Sequence, residues 1–250
     1  MKIKKILVSQ PKPTAPKDPY FELAEKNNIK IDFRPFIHVE SVSAKDFRVQ
    51  KVNILDHSAV IFNSRTAIDH FFKLAEELRV AIPDEMKYFC INEATAHYLQ
   101  KYIVYRKRKI FHSTGKFVDL VEVLRKHKEE KYLVPVSDMH NQEITDQLLK
   151  NKLGFTEAIF YRTVSSDLSD IKEIDYDILV FFSPSGITSL LHNFPDFKQN
   201  ETLIASFGPA TAQAVLDAGL RLDIQAPQPQ APSMTMALEQ FIKKHNKGTK

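Results

Sequence analysis

The chain has 250 residues, a net charge of +4 and a single cysteine, Cys90. That length buries enough apolar surface for one large or two ordinary domains without staples, and one cysteine excludes an intramolecular disulfide. So mild a charge does not by itself imply nucleic acid and suits a small acidic ligand, while no apolar run is long enough to span a membrane or form a secretory leader.

Lys5–Ser9 reads as a short buried strand, and the Pro-rich stretch from Pro11 to Pro16 leads to a helix through Tyr20, Leu23 and Ala24. An extended segment follows over Ile31–Val39. Strands are then predicted at Ser58–Asn63, Lys87–Asn92, Tyr132–Val136 and Thr156–Val164, with helices at Ala67–Leu78, Ala94–Lys101, Phe117–His127 and Glu143–Leu149. Beyond these come strands at Ile178–Phe182, Leu203–Phe207 and Leu222–Gln225. The helices between them are Ile187–Leu191 and Thr211–Asp217, the latter closed by Gly219 as a C-cap. A linker broken by Pro227, Pro229 and Pro232 precedes a last helix, Met234–Ile242, and Lys243–Lys250 reads as a frayed tail. Apolar strands alternating with helices predict α/β architecture with mostly parallel sheets flanked by helices.

The pattern is duplicated. Phe62-Asn63-Ser64-Arg65-Thr66-Ala67-Ile68 recurs as Phe181-Phe182-Ser183-Pro184-Ser185-Gly186-Ile187, and Ile91-Asn92-Glu93-Ala94-Thr95-Ala96 as Phe207-Gly208-Pro209-Ala210-Thr211-Ala212. Lys5–Ser9 has its counterpart at Lys131–Pro135, and Asn28–Phe36 at Lys152–Phe160, in mid-chain. The expectation is two similar lobes: residues 1–37 with 165–250 as a discontinuous domain, residues 38–164 as an inserted one, and linker strands near 31–39 and 156–164.

In open parallel sheets a ligand crevice lies outside the carboxyl ends of the strands. Ser64, Arg65, Thr66, Thr95, Ser183, Pro184, Ser185, Gly186, Gly208, Pro209 and Thr211 all fall there, at strand-to-helix turns whose free N–H groups receive anions. Each Ser or Thr has two readings, hydrogen-bond donor to a ligand or helix cap. Gly208 allows either close approach or a tight turn. Lys116 and Arg162 adjoin strand ends and join Arg65 as basic candidates, whereas Arg106–Lys109 reads as a solvated turn. Cys90 reads as a buried, inert thiol. The nine histidines hold no compact ligand spacing, and no GxGxxG or Walker sequence occurs, so neither metal nor nucleotide is expected.

The runs Phe181–Gly186, Phe207–Ala212 and Phe160-Tyr161-Arg162-Thr163-Val164, with Phe62–Ser64 and Glu93–Ala96 in the first half, resemble the uroporphyrinogen-III synthase family. The resemblance implies two α/β lobes joined by paired linker strands, with the active site in the cleft between them. It implies a cofactor-free lyase of porphyrin, haem and other tetrapyrrole biosynthesis. That lyase dehydrates hydroxymethylbilane, an octacarboxylate, and closes it with one terminal ring inverted. Tyr161 matches the tyrosine the family offers as proton donor to the departing hydroxyl; its other reading is an aromatic packed in a linker strand. The chain departs from the family near Gln10, where a basic residue is common, and at Ser137-Asp138-Met139-His140-Asn141-Gln142, where a Gly/Arg turn is usual. No guanidinium contact is carried over at either place. The further expectations are a cytoplasmic monomer that receives its substrate from the preceding pathway enzyme and binds neither membrane nor nucleic acid. A catalytically inactive binding or regulatory protein on the same framework is the alternative.

Overall fold

A computed structural model describes residues 2–139, 142–171 and 174–247; His140, Asn141 and the tail beyond Lys247 lie outside these. The chain forms two compact units, Met1–His38 with Val164–Lys250, and Val39–Thr163.

The first unit opens with β1 (Lys5–Val8), α1 (Pro19–Asn27) and β2 (Lys30–Phe33). Asp18 caps α1 by accepting from the Tyr20 amide at 2.9 Å, Pro19 supplies a preset φ at its start, and Asn28 ends it in the left-handed region at φ 50°. The segment expected as one strand over Ile31–Val39 is in fact two, β2 and β3 (Ile37–Ser41), which belong to different sheets. Pro35, between them, has no N–H for a ladder.

The second unit then contains α2 (Ala44–Val49), β4 (Ala59–Phe62), α3 (Arg65–Glu77), β5 (Lys87–Cys90), α4 (Glu93–Tyr98), β6 (Ile110–His112), α5 (Phe117–Arg125), β7 (Tyr132–Ser137), α6 (Glu143–Lys150) and β8 (Phe155–Ser165). Helix α3 illustrates the pattern: Ala67, Ile68, Phe71, Leu74 and Ala75 are buried at helical spacing while its other face is wet. Back in the first unit come β9 (Ile178–Phe181), α7 (Pro184–Asn193), β10 (Leu203–Phe207), α8 (Pro209–Asp217), β11 (Ile224–Ala226) and α9 (Met234–Lys247). Helices α7 and α8 begin earlier than apolar periodicity predicts because Pro184 and Pro209 occupy their first positions. The expected C-cap holds, with Gly219 at φ 70° just past α8. Residues 243–247 of the expected tail are helical, and Lys243 pairs with Glu239 at 2.7 Å.

The first unit's sheet runs β11-β10-β9-β1-β2, and the second's β3-β8-β7-β4-β5-β6. The pairings around β1, β9 and β10, and around β4, β5 and β7, are parallel. Strands β3 and β8 run antiparallel, with the Val42 amide donating to Phe160 and the Ser166 amide to Phe36. Strand residues alternate between two buried layers. In the first unit Ile6, Val8, Ile178 and Val180 pack on one face and Leu7, Leu179 and Phe181 on the other. In the second, Val60, Phe62 and Tyr88 oppose Ala59, Ile61 and Phe89. Burial on both faces is why these strands are continuously apolar. Strand order reverses between β1 and β9 in one sheet and between β4 and β7 in the other, which fixes where each unit offers a crevice.

Candidate active site

At the end of β4 the chain turns through Ser64, whose extended backbone ends where α3 begins and whose hydroxyl accepts from the Ala67 amide at 3.1 Å. Arg65 is exposed and Thr66 half-buried in the first turn that follows. At the end of β9, Ser183 caps α7 in the same way, accepting from the Gly186 amide at 3.3 Å, with Pro184 and Ser185 after it. A Cβ on Gly186 would lie 3.1 Å from the Phe181 ring, so glycine there serves close helix-to-strand packing.

The second pair of turns departs from the expected pattern. Asn92 caps α4, accepting from the Thr95 amide at 2.8 Å, and Gly208 precedes α8 at φ 87° with no side chain to cap it. Thr95 and Thr211 lie inside their helices, 4% and 2% exposed, so neither is a cap and little of either is open to a ligand. Pro209 starts α8.

Tyr161 lies on β8, beside β7, where a register shift pairs Val136 with Ile159 but Ser137 with Tyr161. The extra residue of this bulge lets two successive side chains turn inward, Phe160 fully buried and Tyr161 9% exposed. The Tyr161 ring stacks on His70 of α3 at 5.1 Å between centroids. His70 Nδ1 is 2.7 Å from the Ser41 hydroxyl of β3. Burial pushes the Tyr161 phenol above its ordinary value, and the neighbouring Ser64 hydroxyl pulls the other way. Burial, with Lys73 nearby, lowers His70 despite the opposing pull of Asp69. The group therefore presents a protonated phenol and a neutral imidazole at neutral pH. Ser64 follows β4 and Tyr161 flanks β7, the two strands at which this sheet reverses order.

His70 and Ser41 escaped the sequence reading. The signal that points to His70 is its place between Ala67 and Leu74 on the edge of the buried stripe of α3.

Of the other basic candidates, Arg162 pairs with Asp46 at 3.5 Å, and Lys116 precedes α5 without a side-chain cap bond. Arg106–Lys109 forms a turn in which Arg106 faces Asp84 at 3.6 Å. Cys90 is buried, its thiol pushed up to about 12. One group among the described residues has metal-compatible spacing: ligand atoms of His127, Glu129 and Glu130 lie within 4.8 Å of one another. The Lys87 ammonium sits 2.5 Å from Glu130 and already supplies a positive charge there. No helix among the described residues is long and apolar enough to cross a membrane.

A family model described as uroporphyrinogen-III synthase HemD matches residues 18–236. The fold is similar to that of uroporphyrinogen-III synthetase from Helicobacter pylori 26695, with a TM-score of 0.57 and 18% identity over 97% of this chain and 100% of that one. It is also similar to a mutant uroporphyrinogen III synthase from the extremely thermophilic bacterium Thermus thermophilus, with a TM-score of 0.50 and 13% identity over 96% and 99%. At such identities the structural likeness speaks for the fold alone. A comparison with curated protein sequences found no match.

Proposed function

We propose that this chain, which belongs to the uroporphyrinogen-III synthase family, uses Tyr161 as the proton donor of its reaction and its strand-to-helix turns as carboxylate receivers. The enzyme is a lyase of porphyrin biosynthesis that converts hydroxymethylbilane to uroporphyrinogen III. The observation that carries the assignment is the phenol of Tyr161, buried, stacked on His70 and adjoined by Ser64 at the point where the sheet reverses order.

The substrate's terminal hydroxyl is a poor leaving group until it is protonated. A phenol keeps its proton at neutral pH, and burial holds it more firmly still, while the Ser64 hydroxyl pulls the other way and favours the phenolate left when the proton is given up. Water departs, pushed by the pyrrole nitrogen, and leaves an azafulvene. The substituted carbon of the far ring attacks it, and the resulting spiro intermediate opens and recloses with that ring inverted. Tyr161 recovers its proton by way of solvent.

The bilane also closes unaided to the other isomer, so the chief task is to hold it bent for attack at the substituted carbon. Well-oriented intramolecular reactions gain up to about 7–11 kcal/mol from such positioning. Each unit by itself offers carboxylate receivers, the amides opening α3 at the Ser64 turn in one and those opening α7 at the Ser183 turn in the other, where Gly208 also leaves open space in place of a side chain. Stacking on His70 and the His70–Ser41 hydrogen bond restrain the phenol's ring. We further assign the chain to the cytoplasm as a monomer, taking its substrate from the enzyme that makes it.

The test is to supply fresh hydroxymethylbilane and determine the isomer ratio of the oxidised product. Enrichment of type III is expected; type I alone from folded protein would refute the reading.

A further inference from the structure

Arg65 opens α3 and Asp69 follows four positions later, the spacing at which such a pair ordinarily closes on a helix. Here it does not close. Asp69 instead accepts from the Tyr98 hydroxyl at 2.9 and 3.0 Å, from Lys101 Nζ at 2.8 Å, and from the Tyr102 hydroxyl. Tyr102 is fixed in turn by Phe72, stacked at 4.5 Å, and Lys101 Nζ lies 5.4 Å from the Tyr98 centroid and 5.1 Å from that of Tyr102.

With its expected partner committed elsewhere, the Arg65 guanidinium rests over the Tyr98 ring, 5.4 Å from the centroid. Among the described residues the Arg65 side chain forms no ion pair and no hydrogen bond. A guanidinium held on an aromatic face keeps its N–H fork available for two-point pairing with a carboxylate. Ser64, beside the Tyr161 phenol, is its immediate neighbour in the chain.

We infer that Tyr98, anchored by Asp69 and Lys101, is a positioning residue that presents Arg65 to one carboxylate of the acetate or propionate arms of the linear tetrapyrrole. This rests on the synthase reading above and adds a specific charged contact to it. Asp69 has a double role in the device: it fixes the phenol edge of the platform, and by being fully engaged it leaves the arginine unpaired.

The test measures KM and kcat with hydroxymethylbilane, and titrates uroporphyrin III, the stable octacarboxylate obtained by oxidising the product, into folded protein followed by its fluorescence. Arg65→Met should raise KM and weaken uroporphyrin III binding by roughly 10–100-fold, the range of a charge-assisted hydrogen-bonded pair, with kcat little changed. Tyr98→Leu should weaken both by about 2–5-fold, and Tyr98→Phe, which keeps the ring but releases Asp69, should recover only part of that loss. In the Arg65→Met background, Tyr98→Leu should add nothing, because the platform then has no guanidinium to hold.

Unchanged KM and affinity in Arg65→Met overturns the contact. Equal losses from Tyr98→Leu in both backgrounds overturn the positioning role. If the wild-type chain makes no type III isomer, the reaction reading fails by itself, and the uroporphyrin III titration still decides the Arg65 contact.

Discussion

Where β4 gives way to α3, Ser64 caps the helix by accepting from Ala67; where β9 gives way to α7, Ser183 does the same with Gly186. The two turns share their backbone and differ in their company. Ser64 adjoins a buried phenol stacked on an imidazole, and its neighbour Arg65 rests on Tyr98. Ser183 is followed by a proline and by a glycine whose smallness admits the Phe181 ring. A repeated strand-to-helix turn thus offers the same amide donors in both units, and only one of them sets its cap beside a buried phenol. The contrast extends to the second pair of turns, where Asn92 caps with its side chain and Gly208 turns with backbone alone.

Four experiments would break or sharpen this contrast. The largest effect is expected from Tyr161→Phe, which keeps the stacked ring and removes the proton: kcat should fall by about 10²–10⁴-fold, with KM nearly unchanged in steady-state assays. Unaltered turnover would remove the acid assignment and with it the asymmetry between the units. Next, Gly208→Ala forces a side chain into a conformation, φ 87° and ψ 151°, that is essentially glycine's own. It should cost about 1–3 kcal/mol in urea unfolding, although the space around the new methyl is open.

The paired cap variants follow. Ser64→Ala and Ser183→Ala should each lose about 0.5–2 kcal/mol of stability, since both remove the acceptor for a helix amide. They should part company in kinetics: Ser64→Ala lowers kcat through the neighbouring phenol, and Ser183→Ala registers in KM. Equal kinetic profiles would mean that the turns are equivalent after all.

The smallest effect is a flat line. His70 titrates below its ordinary value of 6.5 and Tyr161 above its ordinary 10.0, so between those values the imidazole is neutral and the phenol protonated. A pH profile of kcat should be level across that interval, and a limb inside it would show that another group controls the rate.

Strands buried on both faces declare themselves as unbroken apolar runs, which is why β1, β4, β5, β7, β9 and β10 could be read from the chain within a residue or two. The elements that escaped bury very little. Helix α2 is six residues long and contributes only Phe47 to the core, and β6 is three residues long and directly follows a basic run. Pro35 divides two strands that hydropathy alone runs together.

The site was less legible for a related reason. Period-two alternation gives no warning of the bulge that turns Phe160 and Tyr161 inward together, and Tyr161 stood out through family resemblance rather than pattern. Thr95 and Thr211 looked like caps because they lie in hydroxyl-bearing turns, but the capping position falls three residues earlier, at Asn92 and Gly208. His70 stands at the edge of its helix's buried stripe, but its partner on a distant strand, like the partner of Tyr98 on another helix, has no local signature.

The place of β1 in its sheet has a consequence for how the chain is made. It sits between β2, which follows it closely, and β9, which begins only at Ile178. On a ribosome adding about 5–20 residues per second, the first strand waits roughly ten to thirty seconds for that neighbour, while every strand of the inserted unit's sheet has already emerged. The middle of the polypeptide can therefore fold ahead of its beginning, leaving the Lys5–Val8 edge exposed in the interim to whatever nascent-chain helpers the cell provides.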